Sequence, residues 1–275
     1  MRARYGLRIG ALAYLTLLLV LPVGLVFYRT FQGGLEPVWN AMTDPDFLHA
    51  LWLTILVALI AVPLNTVFGV ACALVLVRQR FRGKAVLNAL VDLPFALSPV
   101  VVGLALFLVY ARTGWFGPWL SAHGVQIVFA LPAMVLATIF VSLPFVVREV
   151  VPVLREVGTE QEEAAWTLGA SPLSTFRRIT LPAIRWGITY GVVLTTARCL
   201  GEFGAVSVVS GNLIGKTQTL TLHVNNRFQA FDLVGAYTAS VVLAVLALAT
   251  LLLMNLFRKE APRVDSDPAG DQALR

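Results

Sequence analysis

The sequence predicts an all-α polytopic membrane protein of six transmembrane helices with both termini in the cytoplasm. Three observations carry this expectation: how few charges the chain has, how they are spaced, and on which side the basic ones gather. Of its 275 residues 58% are hydrophobic and 13% charged. A soluble chain of this length carries roughly a quarter charged residues, so lipid is the solvent for most of this one.

The charges fall in short patches, and the gaps between patches are long enough to cross a bilayer, which takes about 20 residues. Residues 9–28, 50–77, 127–147 and 233–257 hold no charge. Residues 85–111 hold only Asp92, and residues 184–210 are apolar but for Arg185, Arg198 and Glu202. Orientation follows from the Lys/Arg bias of the flanks. One side collects Arg2, Arg4, Arg8, Arg78, Arg80, Arg82, Lys84, Arg148, Arg155, Arg177, Arg178, Arg185, Arg258, Lys259, Arg263 and Arg275, sixteen of the 21 basic residues. The other holds Arg29, Arg112, Lys216 and Arg227, and Arg198 is left inside a span. The basic side is the cytoplasm. The formal charge of +6 therefore reflects topology, and no nucleic-acid partner is called for.

The basic start and apolar run look at first like a signal peptide. The run exceeds a signal core of about 7–15 residues and lacks a small-x-small cleavage site, so it reads as an uncleaved first span. Cys72 and Cys199 fall in different spans and read as packing residues without a disulfide framework. The external loops, 29–49, 112–126 and 211–232, are too short for a folded domain. Trp115, Phe116 and Trp119 in the second are aromatics of the kind that sit at headgroup depth. Residues 1–260 thus form a transmembrane domain, and 261–275 a polar, disordered cytoplasmic tail.

The longest cytoplasmic connection, 148–185, is built for more than passage. Thr159 with Glu162 three residues on reads as a capping box opening a helix, and Gly169 supplies a left-handed C′ position to end it. Ser171-Pro172 reads as N-cap and N1 of a second helix, with Leu173 and Phe176 on one side, Arg177 and Arg178 alongside, and Leu181-Pro182 closing it. On helix physics two readings stand: a pair docking on a partner, or an amphipathic pair lying on lipid headgroups.

Glu163-Ala164-Ala165, then Gly169, then Ile179-Thr180-Leu181-Pro182 resembles the signature loop of permeases in binding-protein-dependent ABC importers, with seven positions matched at the right spacing. That resemblance implies a type I ABC importer permease fold. It makes 158–182 a coupling loop in which Glu163, Ala164, Ala165, Gly169, Ile179, Leu181 and Pro182 seat on a separate ATPase subunit. Small alanines would permit close approach, Glu163 would meet a basic group, and Gly169 would allow the sharp turn. The segments 89–104 and 198–212, with TGWFGPWL between them, resemble sulfate permeases, and molybdate permeases share part of the pattern. The run after Arg198 and the following Gly-Lys-Thr-Gln-Thr-Leu resemble the W-type sulfate permease subunit more than the T-type. This implies a multi-pass protein of the cell inner membrane, working with a T-type permease, two ATPase subunits and a periplasmic sulfate-binding protein to import sulfate or thiosulfate. A molybdate or tungstate importer is the alternative.

A dianion crossing a membrane needs polar lining or compensating charge. The candidate pathway residues are Ser98, Arg198 and Glu202. Arg198 lies about 14 residues, roughly 20 Å, into its span, and Glu202 at i+4 lies on the same helix face. The pair either neutralises itself to hold Gly201 and Gly204 against a partner helix, or shapes the field along the route. An unpaired arginine at that depth costs about 2.5–3.5 kcal/mol, so pairing is the cheaper state. Asp92, Pro94, Ser98 and Pro99 predict a broken or kinked helix, with Ser98 offering a hydroxyl and Asp92 a structural hydrogen-bonding role.

The segment SGNLIGKTQT mimics a phosphate-cradling loop, but Ser210 stands at the first glycine position and TQTLTLHV reads as extended, so no ATP site is expected. A secondary anion transporter would show internal hydropathy symmetry and more intramembrane charge. An intramembrane enzyme would need a catalytic set, whereas His49, His123 and His223 are scattered on the external side. No catalytic residue, metal site or cofactor is expected.

Overall fold

A computed structural model describes residues 2–258, and all regular structure among them is helical. The chain enters through α1 (Arg2–Leu15), a π turn at Thr16–Val20 and α2 (Leu21–Phe31). Pro22 lacks the N–H an unbroken helix would need, and the turn before it widens to π. After α3 (Leu35–Thr43), Asp44 caps α4 (Pro45–Arg78), accepting from the Asp46 amide at 3.0 Å. With 34 residues, α4 is about 50 Å long, well beyond the ~30 Å hydrocarbon core.

Next come α5 (Lys84–Ala96) and α6 (Pro99–Tyr110), bent by 111° at their junction, then α7 (Gly117–Ala122) and α8 (Leu131–Val157). The connection that follows α8 holds α9 (Glu160–Thr167), α10 (Pro172–Thr175), a second π turn at Phe176–Thr180 and α11 (Leu181–Ala183). It leads into α12 (Arg185–Leu200), α13 (Gly204–Val209), α14 (Leu220–Gln229) and α15 (Leu233–Arg258).

Among the described residues four stretches are long and apolar enough to span a membrane: Gly10–Phe31, Pro45–Arg78, Leu131–Val157 and Leu233–Leu253. The bent α5–α6 pair makes a fifth if it counts as one span. The remaining expected span, 184–210, is divided between α12 of 16 residues and α13 of 6, each too short alone. The expected tail, 261–275, lies outside the described residues.

The core is organised around α8. Near one end, Leu53 and Val57 of α4 meet Met134 and Val141 of α8 and Ala205, Val206 and Val209 of α13. Near the other, Val70 and Ala73 meet Val146, Val150 and Leu154, with Ile184. Glycines set the approach. A Cβ on Gly69 of α4 would lie 2.7 Å from Val146 Cβ, and one on Gly191 of α12 would lie 2.8 Å from Val146 Cα. Gly187, one turn earlier, faces the Glu149 carbonyl at 2.9 Å on the same basis. Helices in lipid gain no hydrophobic drive from meeting, so van der Waals contact through small residues and interhelical hydrogen bonds must hold them. The buried Asn65 supplies the second, donating to the Ile139 carbonyl at 3.1 Å and to Ser142 Oγ at 2.8 Å. Cys72 and Cys199 are buried and free, as expected of packing residues. Within Gly10–Phe31 only Thr30 is buried, and the α2 end leans on α15.

Between spans, Arg227 of α14 joins Asp44 at the head of α4 to Asp232 at the head of α15, the latter at 3.3 Å. His223 is buried beside this cluster and bonded to Gln218 Oε1 at 3.1 Å. Burial first, and then the Arg227 charge, push its imidazole below the ordinary histidine range, against Asp44, Asp46 and Asp232.

Candidate functional site

Two helix breaks meet inside the bundle. The first separates α5 from α6: Leu97 and Ser98 are extended, as residues before a proline prefer, and Pro99 opens α6 with its fixed φ. The junction turns through 111°, so it is a full break rather than a kink, and Ser98 is exposed with no hydroxyl cap bond. The second break separates α12 from α13 at Gly201, Glu202 and Phe203. A Cβ on Gly204 would lie 2.9 Å from Pro99 Cβ, and one on Gly103 would lie 2.6 Å from the Ala205 carbonyl. Only glycine allows α6 and α13 to back onto each other so closely.

Glu202 satisfies this break. It is buried, and its Oε1 accepts from the Ala205 amide at 2.8 Å, capping α13. Its Oε2 lies 2.7 Å from Arg198 Nη2, and its backbone carbonyl accepts from Thr221 Oγ1 at 2.7 Å. The expected i,i+4 pair forms, but not on one helix face: α12 ends at Leu200, so the pair bridges a helix end. Arg198 keeps 30% of its side chain accessible against 2% for Glu202, leaving a partly open cation beside a neutralised anion. The expectation that Gly201 and Gly204 both pack on a partner helix is half right. Gly204 does, whereas Gly201 has nothing nearer than its own Ala197 carbonyl at 3.7 Å. Asp92 has a hydrogen-bonding role, accepting from Arg148 Nε of α8 at 2.8 Å and from Asn88 Nδ2 at 3.4 Å.

The connection between α8 and α12 presents a second surface. Gly158 and Gly169 take φ of +68° and +83°, the left-handed region that a Cβ disfavours. At Gly169 the following Ala170 amide returns to the Ala165 carbonyl at 3.0 Å, closing α9. The capping box does not form. Thr159 Oγ1 donates to Glu163 Oε1 at 2.7 Å, and Glu162 turns inward to Arg78 and Thr180. Ser171 Oγ does accept from the Ser174 amide, at 3.4 Å. Leu173 and Phe176 do not share a face, since Leu173 is exposed and Phe176 packs on the core. Leu181-Pro182 does not close the helix either. The turn before Pro182 widens to π, α11 continues through it, and the chain re-enters at Arg185 after one non-helical residue.

Of the seven matched loop positions, Glu163, Ala164, Gly169, Leu181 and Pro182 are exposed, while Ala165 and Ile179 are half-buried. Sequence reasoning named Leu173 but missed the rest of the apolar part of this surface: Trp166 and Leu168 also stand out, Leu168 at 89%. Two large apolar residues just before Gly169 in a cytoplasm-assigned loop were the available signal. The segment after the imperfect phosphate loop is also corrected. It is extended only to Thr219, and α14 then begins at Leu220.

Residues 65–262 match the family described as binding-protein-dependent transport system inner membrane component. The chain is 52% identical over 258 residues to the sulfate transport system permease protein CysW of Synechocystis sp., covering 94% of each. Against the protein of that name from Escherichia coli the identity is 50%, over 91% of this chain and 86% of the other. Against the sulfate transport system permease protein CysT of Synechocystis it is 38%, over 92% and 89%. The fold is similar to a chain of a bacterial ABC transporter involved in import of the acidic polysaccharide alginate, with a TM-score of 0.79, 19% identity and coverage of 94% and 96%. A polytopic helical chain with a family match over most of its length, and half-identical relatives over nearly all of it, belongs to the inner membrane components of binding-protein-dependent transport systems.

Proposed function

We propose that the chain is the W-type permease subunit of an ATP-driven sulfate or thiosulfate importer of the cell inner membrane. The observation that carries this is the identity gap: 52% to a CysW protein against 38% to a CysT protein of the same organism. In this reading both termini are cytoplasmic and the chain crosses six times, the fifth crossing being α12 with α13 and the sixth α15. A T-type permease is its membrane partner, a periplasmic sulfate-binding protein delivers the anion, and two separate ATPase subunits hydrolyse ATP.

The pathway is assigned to the meeting of the two breaks, lined by Ser98 and the accessible side of Arg198, with Glu202 holding the arginine in place. Irregular backbone at membrane depth is tolerated only against protein or a water-filled route. Glu202 meets the first condition and exposed Ser98 suits the second. The coupling surface is 158–182, with Glu163 facing a basic ATPase group and Trp166, Leu168 and Leu173 supplying apolar contact.

The test is Glu163→Lys and Gly169→Val in the reconstituted complex. The first reverses a charge at the contact, and the second forces a β-branched residue to φ +83°. Both variants should reach the membrane at normal abundance and lose ATPase association or sulfate uptake. Full ATPase binding with wild-type uptake in both would refute the docking assignment. ATPase stimulation by liganded binding protein, compared for sulfate, thiosulfate, molybdate and tungstate, checks the substrate.

A further inference from the structure

Arg78, the last residue of α4, is tied into the cytoplasmic connection through both terminal nitrogens of its side chain, with its Nε at ion-pair distance. Its Nε lies 3.0 Å from Glu162 Oε2, and its Nη2 donates to Glu162 Oε1 at 3.1 Å. The same Nη2 donates to the Gly158 carbonyl at 2.6 Å, and Nη1 donates to the Leu154 carbonyl at 3.1 Å. Thr180 Oγ1 completes the set, donating to Glu162 Oε1 at 2.8 Å. Only 16% of the arginine side chain and 8% of the glutamate are accessible. One guanidinium therefore joins the end of α4, the end of α8, α9 and the π turn that leads into α12.

Glu162 is the one acid of α9 turned inward, whereas Glu160 and Glu163 are exposed. The planar fork of an arginine suits this duty, because it fixes the carboxylate at two points and still has donors for two carbonyls. A buried pair of this kind is no great source of stability, since desolvation offsets most of its attraction. What it does provide is geometry: α9 cannot move relative to α4 and α8 without parting a desolvated charge pair.

We infer that Arg78 and Glu162 are positioning residues that carry displacement of the coupling loop into α4 and α8, so that ATP-driven movement reaches the membrane helices. This rests on the reading that 158–182 docks on the ATPase. The pair itself needs no contact with that subunit.

The experiment uses the full complex in lipid, with both permeases, the ATPase subunits and the binding protein, and reads ATP hydrolysed per sulfate imported. Arg78→Gln and Glu162→Gln should retain ATPase subunits on co-purification while the ratio rises about tenfold, within the usual span of coupling effects. Arg78→Lys, which keeps the charge but loses the fork, should fall between wild type and Arg78→Gln. Glu162→Gln keeps side-chain size and an acceptor for Thr180, so it decides the matter should Arg78→Gln fail to accumulate. An unchanged ratio in complexes that assemble, even at reduced yield, means the pair is merely structural and overturns the inference. Loss of ATPase binding in Glu163→Lys alongside wild-type coupling in Arg78→Gln and Glu162→Gln sinks this inference alone. Wild-type behaviour of Glu163→Lys and Gly169→Val instead removes the docking reading beneath it.

Discussion

Removing Arg198 should damage the fold more than neutralising Glu202, and the asymmetry can be worked from their surroundings. Glu202 is 2% accessible and has two partners for its charge, the Ala205 amide and the Arg198 guanidinium. Arg198→Ala leaves a carboxylate at membrane depth with one neutral donor, a loss of about 3–5 kcal/mol for breaking a buried pair from one side. Glu202→Gln keeps an oxygen for the Ala205 amide, and it frees an arginine that is already 30% accessible to turn toward polar surroundings. Its cost is that of a charge-assisted hydrogen bond, about 1.5–3 kcal/mol. The gap of about 2 kcal/mol exceeds a tenfold difference in the unfolded fraction, since ~1.4 kcal/mol is one decade. The double variant Arg198→Leu with Glu202→Gln should recover part of the Arg198→Ala loss, because no unpaired charge remains. Thermal denaturation of the purified permease complex, with uptake measured in parallel, reads all four proteins. Equal losses in the two single variants, or a larger loss in Glu202→Gln, would refute the reasoning. Normal assembly of Arg198→Ala with poor uptake would instead put the arginine on the anion. Normal abundance and uptake in both singles would remove both roles.

Two further outcomes are expected. With Cys72 and Cys199 buried, a cysteine placed at Asn212 should be the reactive thiol and should label from outside intact cells, while a reporter fused after Arg258 stays cytoplasmic; labelling at 212 only after permeabilisation would break the six-span topology. Gly191→Leu should lower the melting temperature through overpacking of about 1–3 kcal/mol, because its Cβ would meet the Val146 backbone at 2.8 Å; equal tolerance of Gly191→Leu and Gly201→Ala would show that α12 does not pack on α8 this tightly.

The fold class was legible because a bilayer imposes length and charge rules that single residues obey visibly. Four spans appear in the structure where uncharged runs stand in the sequence. The break within the 184–210 run was not visible because hydropathy averages over a window and does not see that Glu202 can cap a new helix just beyond a C-cap glycine. Pro94 and Pro99 did announce a disturbance, although only the structure shows that it amounts to a 111° turn. The glycine pair Gly187 and Gly191, a small-xxx-small spacing, was there to be read and marks the α8 contact. Asn65 was hidden by counting charges alone, since a neutral amide leaves a span charge-free while fixing two helices. Arg78 was counted as one more cytoplasmic base, and its inward role depends on Glu162, 84 positions away in sequence, which no local pattern encodes.

Glu162 and Glu202 show why the surface of 158–182 and the helix breaks need not be read as separate sites. Both are buried acids, each held by an arginine and each also accepting from a neutral donor at a chain reversal. Thr180, which donates to Glu162, lies five residues before α12 begins, and Arg198 and Glu202 flank its end. Between them run 16 residues of helix, about 24 Å long. Gly187 and Gly191 hold that helix against α8 at a distance where sliding meets backbone rather than pliable side-chain ends. Held this closely over its first half, the helix would carry a shift of its first turn toward the Glu202 break rather than slide on α8. There the cap on α13 and the closeness of Gly204 to Pro99 would pass the shift on to α6. The regular helix of this segment is disturbed at the π turn before Pro182 and at the break after Leu200, and one of the two acids is bonded at each.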